Sequence, residues 1–424
     1  MKTGNRWIIA LAGVLFQIAL GAVYAWSVFR APLAKEFGWS ISEVTLTFTI
    51  SIFMSGVAAF FGGLWLNRKG PRVVALTGGA LYGLGVFLAS FSHDLWWLYL
   101  SYGVVGGIGI GLGYVVPVAV LVKWFPDRRG LITGIAVGGF GVSALITAPV
   151  ATRLIQSVDV LGTFAYLGIV YLIVTVITGL FMRNPPDGWK PAGWVPTASE
   201  TSHRAARDFT LGEALKTWQW WALWLILFLN TRAGVSVISQ EVPLFQEEAG
   251  VTAAVAASMV GLASIGNAVG CIFWAWVSDL ITRKATFVVM FAGQVLLFWM
   301  LPNMASASLL TIVTFVVLMC FGGGFGTMPA FAADYFGPKN VGPIYGLMLT
   351  ASGFASVFGP LLIAHMRETA GSYRGALHMI AGVMAISILL PIFVHPPRSQ
   401  GVRSRRRVSR PVRENCYEPL ANLD

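Results

Sequence analysis

A lone arginine interrupts a long apolar stretch in the middle of this chain. Arg232 stands in LILFLNTRAGVSVISQ (225–240), fourteen residues into an apolar run that begins at Trp218. Its planar guanidinium can hold a carboxylate through two parallel hydrogen bonds. Because a charge deep in hydrocarbon costs at least about 2.5–3.5 kcal/mol, such a residue normally has a partner. Two interpretations stay open: Arg232 binds an anionic ligand, or it extends towards the surface and meets Gln240 or Glu241.

Other polar side chains within the apolar runs could complete a binding site. Tyr24 and Tyr114 carry hydroxyl donors well inside their runs, although membrane tyrosines also act as interface anchors. Asn267 lies one helical turn before Cys271 and shares a helix face with it. The amide could contact a ligand or bond a neighbouring helix, and the thiol could line the site or simply be a small buried side chain. The predicted substrate-binding residues are Arg232, Tyr24, Tyr114, Asn267, Cys271, Asn230 and Gln17.

Membrane helices must position these residues, since the composition excludes a soluble protein. Of the 424 residues, 56% are hydrophobic and only 11% are charged, whereas a soluble chain has about 25% charged residues. About twelve apolar runs are long enough to cross a hydrocarbon core of roughly 30 Å as helices. The sequence predicts an all-α polytopic membrane protein, not an enzyme. The predicted spans are residues 7–29, 41–66, 73–92, 95–122, 131–155, 160–182, 218–240, 253–278, 285–304, 308–333, 343–365 and 374–395.

Basic residues are concentrated on alternate loops. The N-terminus, the loops after the second and fourth spans, the loop 183–217 and the tail 398–424 are rich in lysine and arginine, whereas the loop after the seventh span is acidic. The positive-inside rule then predicts a cell inner membrane protein with both termini and the central loop in the cytoplasm. Because the net charge of +11 is spread over these loops, it does not predict nucleic-acid binding. The arginine-rich tail either lies against anionic membrane lipids or only fixes the topology.

The cysteines and glycine-rich runs predict no cofactor and no metal site. Cys271, Cys320 and Cys416 show no pairing or CxxC spacing, which argues against a disulfide framework and against a zinc site. The runs GGIGIGLG (106–113) and GGGFG (322–326) are not phosphate loops, because no Lys-Ser/Thr follows them. In a spanning helix such small residues allow close helix packing.

The chain repeats itself at an offset of about 212 residues. GLGYVVPVAVLVKWFPDRRGLITG (111–134) falls on GGFGTMPAFAADYFGPKNVGPIYG (323–346), and WLNRKGPR (65–72) falls on VSDLITRK (277–284). Two six-helix halves joined by a cytoplasmic linker are typical of alternating-access transporters, whose site lies near the midplane between the halves. Thr210 and Glu213 have capping-box spacing and predict a short interfacial helix in the linker. The predicted domains are a first half 1–182, a linker 183–217, a second half 218–397 and a tail 398–424.

These segments resemble the major facilitator superfamily and, within it, the oxalate/formate antiporter family, whose members are relatives of the monocarboxylate transporters. The resemblance covers both halves up to about residue 395, and it implies the twelve-helix fold in two pseudo-symmetric halves without identifying the substrate. The segments that carry it are GAVYAWSVF (21–29), KWFPDRRG (123–130), NPPDGW (184–189), DFTLGEAL (208–215), FWAWVSD (273–279) and ADYFGPKNVGPIYG (333–346).

Two departures from the family weaken a dicarboxylate assignment. Members with anionic substrates typically have an arginine on the eighth helix where this chain has Cys271. The oxalate exchanger also uses a lysine on the eleventh helix, and Ser352 aligns with it. Arg232 is the candidate that would replace these missing cations.

The loop after the second span resembles the superfamily's gating motif, G-x-x-x-D-R-x-G-R-R, but Asn67 replaces the acid. The second-half copy keeps its acid as Asp279. We expect Asp279 to pair with a base or a helix N-terminus on the cytoplasmic side, and Asn67 to form the weaker latch. The resemblance implies that the gating residues are Asn67, Arg68, Arg72, Asp279 and Arg283.

We therefore predict a monomeric secondary transporter of a small organic anion. Its substrate would be a lactate-, pyruvate- or formate-like monocarboxylate, moved by proton symport or by anion exchange. An exporter of a neutral or thiophilic compound is the alternative, which the two missing cations and the residues Cys271, Cys320 and Met348 favour. A membrane sensor that signals through the tail is disfavoured, because the tail lacks the composition of a folded domain.

Overall fold

The structure is a computed structural model of the whole chain. It describes residues 5–186, 188–191, 193–194, 207–238, 245, 249–304, 306–355 and 374–397. Gln240 and Glu241, the predicted surface partners of Arg232, lie outside the described residues, and so does Cys416 of the tail.

Twelve helices in the described part of the chain account for the predicted spans. Nine helical stretches among the described residues are long and apolar enough to cross a membrane, and the longest of them, Arg129–Gly179, is broken at Asp159 and so provides two. Two further helices, α8 and α11, complete the set. The bounds are α1 Arg6–Phe37, α2 Ile41–Lys69, α3 Pro71–Phe91, α4 Leu95–Trp124, α5 129–158, α6 160–179, α7 Trp218–Ile238, α8 Ala253–Ile281, α9 Arg283–Asn303, α10 Ala307–Phe336, α11 Val341–Ala355 and α12 Arg374–Phe393.

Asp159 separates α5 from α6 and agrees with the boundary predicted between residues 155 and 160. Its backbone has φ 74° and ψ 178°, which no helix can accommodate. Its carboxylate accepts a hydrogen bond from the Gly162 nitrogen at 2.7 Å, and its carbonyl accepts one from the Thr163 hydroxyl at 2.6 Å. The residue therefore begins α6 as an N-cap.

The internal repeat is visible in the backbone at two equivalent turns. Gly70, between α2 and α3, has φ 84° and ψ 165°, and Thr282, between α8 and α9, has φ 92° and ψ 151°. These residues are 212 positions apart, which is the offset found in the sequence. A positive φ is a rare conformation for a β-branched residue, so its retention at Thr282 indicates that the turn geometry itself is needed in both halves.

Small residues bring the two halves together near one end of the bundle, the end that carries the linker, which we call the linker face. Gly63 of α2 lies against Gly342 and Pro343 of α11 so closely that a methyl group there would collide with their backbone. Gly134 of α5 lies equally close to the Cys271 carbonyl of α8. The α2–α11 and α5–α8 contacts form the two sides of the interface between the halves.

The linker contains a short helix at the capping box found in the sequence. It spans Leu211–Leu215, and Thr210 and Glu213 form the expected reciprocal capping box. The backbone N–H of Thr210, its hydroxyl and the Arg207 guanidinium lower the pKa of the Glu213 carboxyl to about 2, which keeps the cap ionised. The outer limits of the linker, 183 and 217, stay a prediction because residues 195–206 lie outside the described part.

Candidate substrate site and gate between the two halves

Two predicted tyrosines of the first half meet on one phenylalanine. Tyr24 of α1 lies edge-on to Phe140 of α5, with 5.1 Å between ring centroids and an interplanar angle of 89°. Tyr114 of α4 lies edge-on to the same ring at 5.3 Å and 89°. This geometry is favourable for aromatic pairs, and it directs both tyrosines to the same region of the interface.

The second half supplies Cys271, Asn267 and Tyr345 to the same region. Cys271 lies close enough to interact electrostatically with Tyr24 and Tyr114, and Tyr345 of α11 lies equally close to Tyr114. The Cys271 thiol lies 4.0 Å from the Asn267 amide oxygen, one turn earlier in α8. We call these five residues the central cluster: Tyr24, Tyr114, Asn267, Cys271 and Tyr345.

Tyr345 is the member of the cluster that the sequence did not predict. Its side chain is 1% exposed, and among the described residues its hydroxyl has one partner within reach, the Tyr114 hydroxyl of the other half. A hydroxyl can donate one hydrogen bond and accept two, so the two hydroxyls keep hydrogen-bonding capacity for a ligand. Its signal in the sequence is its place in the family segment ADYFGPKNVGPIYG (333–346).

Gln17 and Asn230 are used in contacts between helices. Gln17 of α1 donates its amide hydrogen to the Tyr114 carbonyl at 3.1 Å, which leaves it beside the cluster. Asn230 of α7 donates to the Phe321 carbonyl at 3.1 Å and accepts from Gln294 at 3.2 Å. Both amides are fully buried. These bonds give Asn230 a role in joining α7, α9 and α10, and they do not place it in the cluster.

The structure does not bring Arg232 to the central cluster. In the parallel helices α7 and α11, Trp220 donates to the Ile344 carbonyl at 3.4 Å, so Ile344 and Tyr345 lie level with the start of α7. Arg232 follows Trp220 by twelve residues, about 18 Å along the helix axis. It is half-buried and forms no hydrogen bond or ion pair with any described residue. Its predicted surface partners lie outside the described residues.

Asp279 makes both of the pairings expected for the second-half acid. Its two carboxylate oxygens accept hydrogen bonds from the backbone nitrogens of Gly130 at 2.9 Å and Leu131 at 2.8 Å, at the N-terminus of α5. It also pairs with Arg283 at 2.6 Å, one turn later in the chain. An anion at a helix N-terminus is stabilised by free N–H groups and by the helix dipole. The bonds to α5 join the second half to the first.

A buried ion pair that the sequence did not predict lies beside this contact. Arg129 of α5 binds Asp334 of α10 at 2.8 Å, and Arg283 binds the other oxygen of Asp334 at 3.0 Å. Thr133, one turn after Arg129, donates its hydroxyl to the Gly326 carbonyl of α10 at 2.9 Å. Asp334 escaped prediction because the tenth span was expected to end at residue 333, whereas α10 continues to Phe336.

The contact made by the first-half copy of the gate is between two neutral side chains. Asn67 donates its amide hydrogen to the Asn340 amide oxygen at 2.7 Å, just before α11 begins. Arg68 and Arg72 are exposed and have no ion pair or hydrogen bond with the described residues. Of the five predicted gating residues, Asn67, Asp279 and Arg283 make contacts at the linker face, and the two first-half arginines do not.

The central cluster thus combines hydroxyl and amide donors with a thiol, contributed by both halves. Contacts between the halves separate it from the linker face: Asp279 with the start of α5, Arg129 with Asp334, and Asn67 with Asn340. Metal-binding groups of three or more histidine, cysteine or acidic side chains are absent from the described residues. The arrangement is suited to noncovalent binding of a small hydrogen-bond acceptor.

Comparison with known proteins places this geometry in a family. The Major Facilitator Superfamily profile matches residues 9–329 and 243–421. The chain is 28% identical to the oxalate:formate antiporter of Oxalobacter formigenes, over 96% of this chain and 95% of that protein. It is 26% identical to monocarboxylate transporter 13 of Rattus norvegicus, over 92% and 90%.

A solved structure supports the same fold. The outward-conformation crystal structure of FucP, a transporter of the same superfamily, superposes with a TM-score of 0.68 at 15% identity and covers 91% of this chain and 98% of that one. The twelve-helix fold, the internal repeat and the family match together show that the chain is a membrane transporter of the major facilitator superfamily, similar to the oxalate/formate antiporter family.

Proposed function

We propose that this transporter carries a small organic monocarboxylate, bound at the central cluster and moved by alternating access. The observation that supports it most directly is the meeting of two buried hydroxyls across the halves, Tyr345 of the second half and Tyr114 of the first. A ligand held between the two hydroxyls would bind both halves at once. Closure around it would then be coupled to the relative movement of the halves.

The chemistry of the cluster favours an acceptor-rich ligand. Tyrosine hydroxyls and the Asn267 amide can donate hydrogen bonds to a carboxylate, and bonds to a charged acceptor are roughly twice as strong as neutral ones. The relatives named for oxalate, formate and monocarboxylates point to the same ligand class. Arg232 lies farther along the bundle, towards the face opposite the linker face. Its positive charge would attract the anion into the substrate path. Proton symport and anion exchange both stay compatible with this proposal.

A neutral or thiophilic substrate is the second candidate. The observation that favours it is that the central cluster contains no cation among the described residues, while Cys271 contributes a thiol. A neutral hydroxy compound could use the same hydroxyl and amide groups. The two candidates differ in whether the negative charge of the ligand is required for binding.

The linker face is proposed to be cytoplasmic, in the inner membrane of the cell. The alternation of basic loops supports this orientation. An impermeant thiol reagent applied to intact cells should then fail to label Cys416. Labelling from outside would show that the protein has the opposite orientation. A monomer, with the tail against anionic lipids, completes the proposal.

A binding screen tests the substrate class. Thermal unfolding of the purified protein would be recorded with formate, lactate, pyruvate and oxalate, and with the neutral amide lactamide as the matched control. A ligand at 100 times its dissociation constant adds about 2.7 kcal/mol of stability. Stabilisation by lactate or pyruvate but not by lactamide supports the monocarboxylate, whereas equal stabilisation by both supports the neutral substrate. Stabilisation by none of these compounds rejects the monocarboxylate.

A further inference from the structure

The family segment DFTLGEAL (208–215) docks onto the loop between α10 and α11. The backbone nitrogen of Phe209 donates a hydrogen bond to the Phe336 carbonyl at 2.8 Å. The Asp208 carboxylate accepts one from the backbone nitrogen of Lys339 at 3.0 Å. Gly337 has φ 83°, and a side chain there would collide with Asp208. The Phe209 side chain is 4% exposed and packs edge-on against the Phe336 ring. The segment is therefore fixed to the second half.

The same segment determines which way the Asn340 amide points. The Asn340 amide nitrogen donates to the Phe209 carbonyl at 2.7 Å. Because a carbonyl can only accept a hydrogen bond, this contact requires the amide nitrogen on that side and the amide oxygen on the other. The oxygen then accepts from the Asn67 amide of the first half, at 2.7 Å. A hydrogen-bonded chain runs from the linker, through Asn340, to the opposite half.

We propose that residues 208–209 are a positioning strap that orients Asn340, so that the linker selects asparagine at position 67 and helps to close the linker face. In this arrangement Asn67 is matched to its partner: a donor faces an acceptor. The acid found at this position in the family would instead face the Asn340 oxygen. The inference rests on the proposed alternating access, since the strap has a function only if the linker face opens and closes.

The test measures the fraction of molecules closed at the linker face, which requires no knowledge of the substrate. Spin labels would be placed at Arg183→Cys and Phe393→Cys in a Cys416→Ser background. Residue 183 directly follows the first half and residue 393 lies in the second half; both are exposed and make no gate contact through their side chains. Cys271 and Cys320 are buried. The distance distribution between the labels then reports the closed and open populations.

Asn67→Asp is the decisive variant. Restoring the family acid should lower the closed-to-open ratio, roughly two- to tenfold, the range for one neutral hydrogen bond, because two oxygens would face each other. Asn67→Ala should lower it by a comparable factor. An increase of the closed population in Asn67→Asp would overturn the proposal, since it would mean that Asn340 reorients freely.

Asp208 variants separate positioning from folding. Asp208→Ala should lower the closed-to-open ratio, whereas Asp208→Asn, which can still accept from the Lys339 nitrogen, should retain most of it. In an Asn67→Ala background, Asp208→Ala should have no further effect on the ratio, because its action passes through that contact. The matched control is Lys216→Ala, at an exposed linker position. If Asp208→Ala lowers the closed-to-open ratio in the Asn67→Ala background as much as it does in the wild type, the strap is contradicted.

Failure of the strap and failure of alternating access give different results. If Asp279→Asn shifts the populations while Asp208→Ala does not, only the strap is rejected. If the distances stay unimodal and unchanged in all of these variants, the linker face does not open and close, and both proposals are rejected.

Discussion

Arg129 of α5 and Asp334 of α10 form a buried ion pair across the two halves, with side-chain exposures of 8% and 12%. Arg283 shares the Asp334 carboxylate and links it to Asp279, which in turn caps α5. The charges thus form one continuous network at the linker face. The contacts of this network with α5 can exist only while the halves are in contact, so they stabilise the closed state.

Removing one partner of this pair should open the linker face. Breaking a buried ion pair by removing one partner typically costs about 3–5 kcal/mol. The cost should be smaller here, because Asp334 keeps its ion pair with Arg283. We expect Arg129→Met to lower the closed-to-open ratio at least tenfold in the spin-label measurement. Arg128→Met, the neighbouring arginine without a charged partner among the described residues, is the matched control. Equal ratios in the two variants would contradict a gating role for the pair.

The two copies of the gating motif should differ in strength. Asp279→Asn removes a charged acceptor that holds two backbone N–H groups and Arg283, and hydrogen bonds to charged groups contribute about 1.5–3 kcal/mol. Asn67→Ala removes one neutral bond at an exposed position, worth about 0.5–1.5 kcal/mol. Asp279→Asn should therefore reduce both transport and the closed population more than Asn67→Ala. Equal reductions would show that the charge at position 279 gives no advantage.

Tyr345→Phe should affect ligand binding without harming the fold. The change removes one buried hydroxyl whose partner among the described residues is the Tyr114 hydroxyl, so the melting temperature of the unliganded protein should change by no more than the loss of one neutral hydrogen bond. Carboxylate binding should weaken roughly two- to tenfold, the range for one hydrogen bond. The measurement is the ligand-dependent thermal shift of the variant against the wild type.

Tyr82→Phe provides the matched control for that substitution. Tyr82 has a buried hydroxyl without a hydrogen-bond partner among the described residues, but it lies inside the first half, beside a small cavity that it lines together with Tyr102 and Tyr171. Its loss should leave carboxylate binding unchanged. If Tyr345→Phe also binds like the wild type, the central cluster is not the substrate site.

The sequence predicted the helices well and the contacts between the halves only in part. Helix length, hydropathy and the repeat gave the twelve spans, and the capping-box spacing of Thr210 and Glu213 gave the linker helix. Local chemistry decides these features. Asp334 was missed because its helix extends three residues past the apolar run, and Arg129 because a loop arginine resembles a topology signal.

The residues of the central cluster could be predicted in part from the sequence, but their positions relative to one another could not. Tyr24, Tyr114, Asn267 and Cys271 were chosen individually, and the fold brings them together. Depth along one helix can be counted from sequence, but the register between two helices cannot, because it is set by packing. For that reason the sequence could not show that the Trp220–Ile344 contact sets Arg232 about 18 Å along α7 from the level of Tyr345.

Substitutions at Arg232 should decide how its charge is used. If it attracts the anion along the path without gripping it, Arg232→Lys should keep most of the transport, whereas Arg232→Gln should reduce transport of a carboxylate at least tenfold, which corresponds to about 1.4 kcal/mol. A bidentate grip on the carboxylate would instead make Arg232→Lys defective as well, because lysine lacks the planar fork. Both variants should remain folded, since the guanidinium has no ion pair with a described residue. The measurement is uptake of labelled lactate or pyruvate into proteoliposomes at low and high salt, because long-range attraction weakens with ionic strength. Full uptake by Arg232→Gln would remove Arg232 from the substrate path and leave the neutral substrate as the better candidate.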